Sequence, residues 1–125
     1  NNLQIKMYEK ISNLKFVYFS NVKLIFSLGY MRVINDNLIK NYKIINLHPS
    51  LLPKYKGLMT QKRMLINNED FFGFTIHEVS KDLDGGKVIS QRFQKIKIKN
   101  EVNLLILHKK LEHKYVFNEL IKYLN

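Results

Sequence analysis

Two short, nearly continuous apolar runs limit what this chain can fold into. The first is Val22 to Tyr30 (VKLIFSLGY), and the second is Lys43 to Leu47 (KIINL). Runs of this length are typical of strands that are buried on both faces of a parallel sheet. The second run continues directly into His48-Pro49-Ser50. Because proline has no backbone N–H for the ladder, we expect the strand to end there and a loop to begin.

Segments with helical signals alternate with these runs and with two later β-like runs, which indicates an α/β fold. The expected helices are an N-terminal one with Leu3, Met7, Ile11 and Leu14 on its apolar face, a turn of helix within Asn35 to Asn41, a helix from about Thr60 to Asn67 that Thr60 caps, and a long helix from Glu101 to Leu124. The later β-like runs are Phe72 to Val79 and Lys87 to Ile98, separated by the turn Asp82 to Gly86. We expect an open, mostly parallel sheet flanked by helices.

Composition bounds the size and the compartment. A chain of 125 residues that is 46% apolar can bury one modest core, so we expect a single domain over residues 1–125. The sequence has no cysteine, which excludes disulfides, thiolate chemistry and Cys-based zinc sites, and suits a reducing cytoplasm. No run approaches the roughly 18 apolar residues of a membrane span. The first residue is Asn1, so we expect a processed product or an excerpt of a longer chain.

The net charge of +11 is the one feature that favours a polyanionic partner. The lysines are scattered among apolar and acidic residues and form no block. A basic protein that binds nucleic acid therefore stays a minor alternative.

Residues with chemical potential follow the expected strands. Asn46 and His48 are two apart at the end of a strand, so both side chains project to the same side. An amide donor beside a titratable ring can stabilise an oxyanion and move a proton. Asp84 lies in the turn Asp82-Leu83-Asp84-Gly85-Gly86, and it is expected in the same cleft, at the carboxyl ends of the strands. Each residue taken singly has a structural alternative: a hydrogen-bonded histidine, or an ordinary Asp-Gly turn.

Other reaction classes find little support. Ser50 and Ser90 lack the glycine-flanked elbow of hydrolases, which disfavours a covalent intermediate. His48 and His77 do not have metal-ligand spacing, so we expect no metal. His108 and His113, on the expected terminal helix, are assigned to solvent.

Two motifs in order carry a resemblance to a known family. The string NLHPSLLPKYKG at 46–57, followed by FGFTIH at 72–77 and DLDGG at 82–86, resembles the signature of the folate-dependent formyltransferases. The resemblance begins near Leu24 and continues to the terminal helix, so it covers most of the chain. It implies a partial Rossmann-like fold with a long C-terminal helix.

The resemblance implies direct transfer of a formyl group from 10-formyltetrahydrofolate to an amine. Asn46 would hold the formyl oxygen, His48 would stabilise the oxyanion, and Asp84 would orient His48 and assist proton movement. The other matching positions would bind the ligands: Arg32, Val33, Ile34 and Asp82 the pterin, and Gly29, Met31 and Glu112 the nucleotide substrate.

Within the family, the serine of His48-Pro49-Ser50 and the glycine after Asp84 favour glycinamide ribonucleotide as the formyl acceptor. Methionyl-tRNA and sugar-nucleotide formyltransferases remain alternatives. Three positions depart from the family pattern: Met59, Gln61 and Phe72. The family's N-terminal βαβ portion with its glycine-rich phosphate loop has no counterpart, so an incomplete, non-catalytic fragment is a further alternative.

Overall fold

The computed structural model describes residues 22–29 and 34–125. Its elements are β1 (Ile25–Leu28), α1 (Asp36–Asn41), β2 (Ile44–His48), α2 (Thr60–Ile66), β3 (Phe71–Glu78), β4 (Val88–Lys95) and α3 (Glu101–Leu124). Each expected strand and helix in this part of the chain is present, and β2 ends at His48, before Pro49. The N-terminal helix expected around Leu3 to Leu14 lies outside the described residues.

The described strands form one sheet in the order β1-β2-β3-β4. Strands β1 and β2 are parallel, whereas β2–β3 and β3–β4 are antiparallel. The α/β class and the long terminal helix are confirmed, but the expectation of a mostly parallel sheet is corrected to a mixed one in this region. Residues 79–87 join β3 to β4, and so short a connection suits an antiparallel pair because a parallel crossover needs a dozen or more residues.

The core lies between the sheet and the two longer helices. Residue 73 is glycine because there is no space for a side chain: an added Cβ would lie 2.0 Å from the Arg92 carbonyl oxygen and 2.7 Å from the Leu51 side chain. β4 and the loop after β2 therefore pack directly against β3. The buried apolar cluster consists of Ile45, Met64, Phe72, Phe74, Ile76, Ile96, Leu104 and Leu111.

Helix α2 begins differently from the sequence expectation. The residue before it, Met59, has a left-handed φ of 55° and makes no side-chain cap bond. Thr60 is buried, and its hydroxyl donates to Gln61 Oε1 at 3.2 Å. The cap predicted at Thr60 is therefore wrong: its side chain faces the core instead of the free N–H groups of the first turn.

His108 is buried, so its assignment to solvent was wrong. It lies four residues after Leu104 on the inward face of α3, and only 3% of it is exposed. Its Nδ1 is 2.7 Å from Gln61 Nε2, and its ring packs 4.8 Å from that of Phe72. Burial lowers the pKa of His108 to about 4 because the charged ring loses its hydration, and the nearby Gly73 carbonyl only partly opposes this effect.

Acid should therefore destabilise the fold through His108. In the unfolded chain its pKa is near 6.5. Between pH 6.5 and about 4 only the unfolded state therefore takes up the proton, and the free energy of unfolding decreases as the pH is lowered. Urea unfolding measures how much the free energy of unfolding decreases between pH 7 and pH 4. For His108→Gln this decrease should be smaller than for the parent by roughly 3 kcal/mol. His113→Gln, an exposed site on the same helix, is the matched control. Parallel pH dependences for the parent and His108→Gln would contradict this account.

Candidate active site

The end of β2 brings two polar side chains to one face of the sheet. Asn46 and His48 occupy alternate positions and so project to the same side. Their cross-strand neighbours on β3 are His77, opposite Asn46, and Thr75, opposite His48. His48 is 5% exposed and His77 is 3% exposed. A cluster of buried polar groups therefore interrupts an otherwise apolar sheet.

The turn before β4 carries Asp84 to this cluster. Asp84 has a left-handed φ of 50°, which aspartate tolerates better than most residues. Gly86 allows the turn to lie against β3, because an added Cβ would be 1.7 Å from the Glu78 carbonyl oxygen. This contact between Gly86 and Glu78 helps to set the position of the Asp84 side chain relative to the sheet.

The Asp84 carboxylate lies close to three groups. Its Oδ1 lies 3.5 Å from His48 Nδ1 and 3.6 Å from His77 Nε2. Its Oδ2 accepts a hydrogen bond of 2.7 Å from the Gly57 backbone N–H. The side chain is only 8% exposed, so these interactions occur largely away from water.

The loop after β2 orients the His48 ring. His48 Nε2 is 2.7 Å from the Tyr55 carbonyl oxygen. A carbonyl only accepts, so Nε2 carries the hydrogen and Nδ1 faces Asp84. Ser50 helps to hold the loop, because its buried hydroxyl donates to the Lys54 carbonyl at 2.6 Å. The loop therefore determines which ring nitrogen is free to exchange a proton.

The same reasoning fixes the Asn46 amide. His77 Nδ1 donates to the Glu78 carbonyl at 2.9 Å, which leaves Nε2 of the neutral ring as an acceptor. Asn46 Nδ2 lies 3.3 Å from that nitrogen and donates to it. The second N–H of this amide makes no hydrogen bond within the described residues.

Burial and charge act in opposite directions on His48. Its pKa is lowered, chiefly because burial disfavours the charged ring, while the Tyr55 carbonyl and the Asp84 carboxylate raise it. His77 and Arg63 add smaller lowering effects. A ring in this environment can take a proton between Nδ1 and Asp84 and release it again.

Three residues expected in the site therefore come together: Asn46, His48 and Asp84. His77 belongs to the same cluster, although sequence reasoning weighed it only as a metal ligand. The signal that could have found it is the polar alternation of Thr75 and His77 within an otherwise apolar strand.

The expected ligand-binding residues are more dispersed. Gly29 follows β1, which runs parallel to β2, and lies at the same end of the sheet as His48. Asp82 is exposed on the turn that carries Asp84, and Ile34 is half-buried before α1. Glu112 is half-buried on α3, and its pKa is raised by burial, which His113 and Lys109 partly oppose. Met31, Arg32 and Val33 lie outside the described residues.

Residues 22–29 and 34–125 contain neither a metal-binding group nor a membrane-spanning helix. Within these ranges, no group of three or more histidine or carboxylate side chains is arranged to hold a metal ion. None of the helices in the same ranges has the length and apolar character needed to cross a membrane.

Comparison with known proteins identifies the family. The formyl transferase family model matches residues 7–120. The chain belongs to this family. The cluster of Asn46, His48 and Asp84 lies within the matched region.

Individual formyl transferases and related proteins match shorter or longer parts of the chain. Phosphoribosylglycinamide formyltransferase from Escherichia coli is 43% identical over 65 residues, which cover 50% of this chain and 31% of that protein. The bifunctional polymyxin resistance protein ArnA from Wigglesworthia glossinidia brevipalpis is 39% identical over 108 residues, or 82% of this chain and 16% of that protein.

The likeness extends to solved structures of the family. The crystal structure of phosphoribosylglycinamide formyltransferase from Campylobacter jejuni superposes with a TM-score of 0.75 at 32% identity, covering 82% of this chain and 55% of that one. The chain thus spans about half of this structure, and about a third or less of the curated relatives named above.

Removing the Asp84 charge should lower the His48 pKa further. The carboxylate is one of the two influences that raise this pKa against burial. We expect the Asp84→Asn variant to titrate His48 at lower pH than the parent, as measured by NMR of the imidazole. Asp70→Asn removes an exposed carboxylate paired with Lys99 and should leave the titration unchanged. An unchanged His48 titration in Asp84→Asn would show that the two groups are not coupled.

Proposed function

We propose that this chain carries the formyl-transfer site of a folate-dependent enzyme. The donor would be 10-formyltetrahydrofolate, the acceptor would be the amine of glycinamide ribonucleotide, and no metal would take part. The observation that carries the proposal is the buried cluster at the end of β2, in which Asp84 Oδ1 lies 3.5 Å from His48 Nδ1 and Asn46 shares their face. Membership of the formyl transferase family supports it.

The side chains of this cluster suit acyl transfer to an amine. The bound folate would supply a formyl group on N10: the acceptor nitrogen bonds to the formyl carbon, the bond from carbon to N10 breaks, and a proton passes from the amine to N10. The protein has to hold the formyl oxygen, stabilise the negative charge that develops on it and move that proton.

Each of these tasks has a residue with suitable geometry. Asn46 would donate its second amide N–H to the formyl oxygen, since its first is held by His77. His48, when protonated between Tyr55 and Asp84, would place positive charge beside the oxyanion. Because burial lowers its pKa, the ring would release the proton readily, and Asp84 would keep it oriented.

Ser50 and Ser90, the serines considered as nucleophiles, do not favour an acyl-enzyme. Ser50 is fully buried, and its hydroxyl donates to the Lys54 carbonyl at 2.6 Å. Ser90 donates to Glu119 Oε2 at 2.8 Å, and the chain has no cysteine. Direct transfer between the two bound substrates is therefore the mechanism that these residues support.

The remaining binding roles belong to the same proposal. Asp82, Ile34, Arg32 and Val33 would line the pterin pocket. Gly29, Met31 and Glu112 would contact the nucleotide. We further propose that residues 1–125 act as one domain in the cytoplasm. The glycine-rich phosphate loop that the resemblance implies has no counterpart in these 125 residues.

The test is a formyl-transfer assay with a panel of acceptors. The purified chain, alone and mixed with the N-terminal half of a full-length relative, is incubated with 10-formyltetrahydrofolate and glycinamide ribonucleotide, and deformylated folate is followed by absorbance. We expect turnover that requires the nucleotide and falls by about 10²- to 10⁴-fold in His48→Ala. Lys110→Ala, which changes an exposed side chain on α3, should retain the activity.

The other outcomes separate the alternatives. Turnover only with methionyl-tRNA or with a sugar nucleotide would reassign the acceptor. Release of formate without any acceptor would indicate a deformylase. A folded chain without turnover under both conditions would favour a non-catalytic fragment and contradict the proposal.

A further inference from the structure

An exposed pair of aromatic rings lies apart from the active-site cluster. Phe71 begins β3, and Phe93 lies near the end of β4. Their ring centroids are 5.9 Å apart in an edge-to-face arrangement, and the two residues are 48% and 68% exposed. Adjacent exposed rings cost free energy in water, so a contiguous patch of this kind marks a surface for binding.

A small apolar cavity opens beside these rings. Its volume is about 290 Å³. Its lining is mostly apolar, from Leu51, Met64, Phe71, Phe72 and Phe93, and its charged residues are Lys54 and Glu69, which are paired with each other. That volume is just below the range of about 300–1,000 Å³ that is typical of small-molecule sites. The cavity therefore suits a single aromatic side chain better than a nucleotide or a folate.

The neighbouring strand offers backbone hydrogen bonds. Among the described strands, β4 pairs only with β3, so its outer edge has backbone N–H and carbonyl groups available. An extended peptide can add to such an edge, where main-chain bonds supply affinity and a side-chain pocket supplies specificity. Phe93 is part of both the edge strand and the cavity wall.

The charges around the cavity favour an acidic occupant. Both nearby carboxylates are already paired: Glu69 lies 3.5 Å from Lys54 Nζ, and Asp70 lies 2.9 Å from Lys99 Nζ. Lys95, opposite Phe71 in the sheet, adds a third ammonium group against these two carboxylates. The net charge of +11 disfavours a second copy of the chain through like-charge repulsion.

We propose that the β4 edge and the cavity beside Phe93 bind an acidic, extended peptide segment of another protein, with one aromatic side chain in the cavity. This site shares no side chain with the formyl-transfer cluster and does not depend on the proposed reaction. Tyr55 also lines the cavity, but its carbonyl holds His48, so a test of the surface has to avoid this residue.

The probe is a fluorescein-labelled octapeptide of glutamate, serine and threonine with one central phenylalanine. Binding is followed by fluorescence anisotropy without folate or nucleotide. We expect Phe93→Ser to weaken binding at least about tenfold, because it removes the aromatic wall. Phe117→Ser, a 57% exposed phenylalanine on α3, is the matched control and should change affinity less than about twofold. Lys95→Glu serves as a second variant and should also weaken binding.

Three results would overturn the proposal. One is the absence of peptide binding to the parent chain. Another is that a peptide with lysine in place of glutamate, or with alanine in place of the central phenylalanine, binds as tightly as the original peptide. The third is self-association, measured by sedimentation, that Phe93→Ser abolishes, because the surface would then belong to a second copy of the chain.

Discussion

The hydroxyl of Thr75 joins the sheet to the loop that orients His48, and the geometry of the site depends on this junction. Thr75 is fully buried on β3, where it donates to the Ser50 carbonyl at 2.7 Å and accepts from the Leu52 N–H at 3.0 Å. These bonds replace the ladder that the chain gives up when β2 ends, since buried backbone groups need partners. The loop then presents the Tyr55 carbonyl to His48.

The same loop also fixes the acidic side of the site. Gly57, two residues beyond Tyr55, donates its N–H to Asp84 at 2.7 Å. One loop therefore positions the groups that face both nitrogens of His48: the Tyr55 carbonyl directly, and Asp84 through Gly57. Because the ring is buried, each contact acts in a medium where electrostatic interactions are stronger than in water. Burial lowers the pKa of His48, whereas the Tyr55 carbonyl and Asp84 raise it.

Sequence reasoning predicts those features that local chemistry determines. Pro49 has no N–H, so the end of β2 and the position of His48 follow from the sequence. The antiparallel pairing of β3 and the left-handed Met59 depend on packing between distant segments, which a local pattern does not encode. The place of His77 in the site and the burial of His108 could not be predicted for a related reason. Their partners Asn46 and Gln61 are 31 and 47 residues away in the chain.

The central claim is that the loop holds His48 with its hydrogen on Nε2 so that Nδ1 faces Asp84. Long-range ¹H–¹⁵N NMR of the ¹⁵N-labelled chain reports the protonation of each ring nitrogen directly. Above the His48 pKa, we expect a neutral ring with a hydrogen-bonded proton on Nε2 and an unprotonated Nδ1, which gains a proton as the pH is lowered. A neutral ring with its proton on Nδ1 would contradict the account, because the Tyr55 carbonyl would then not orient the ring.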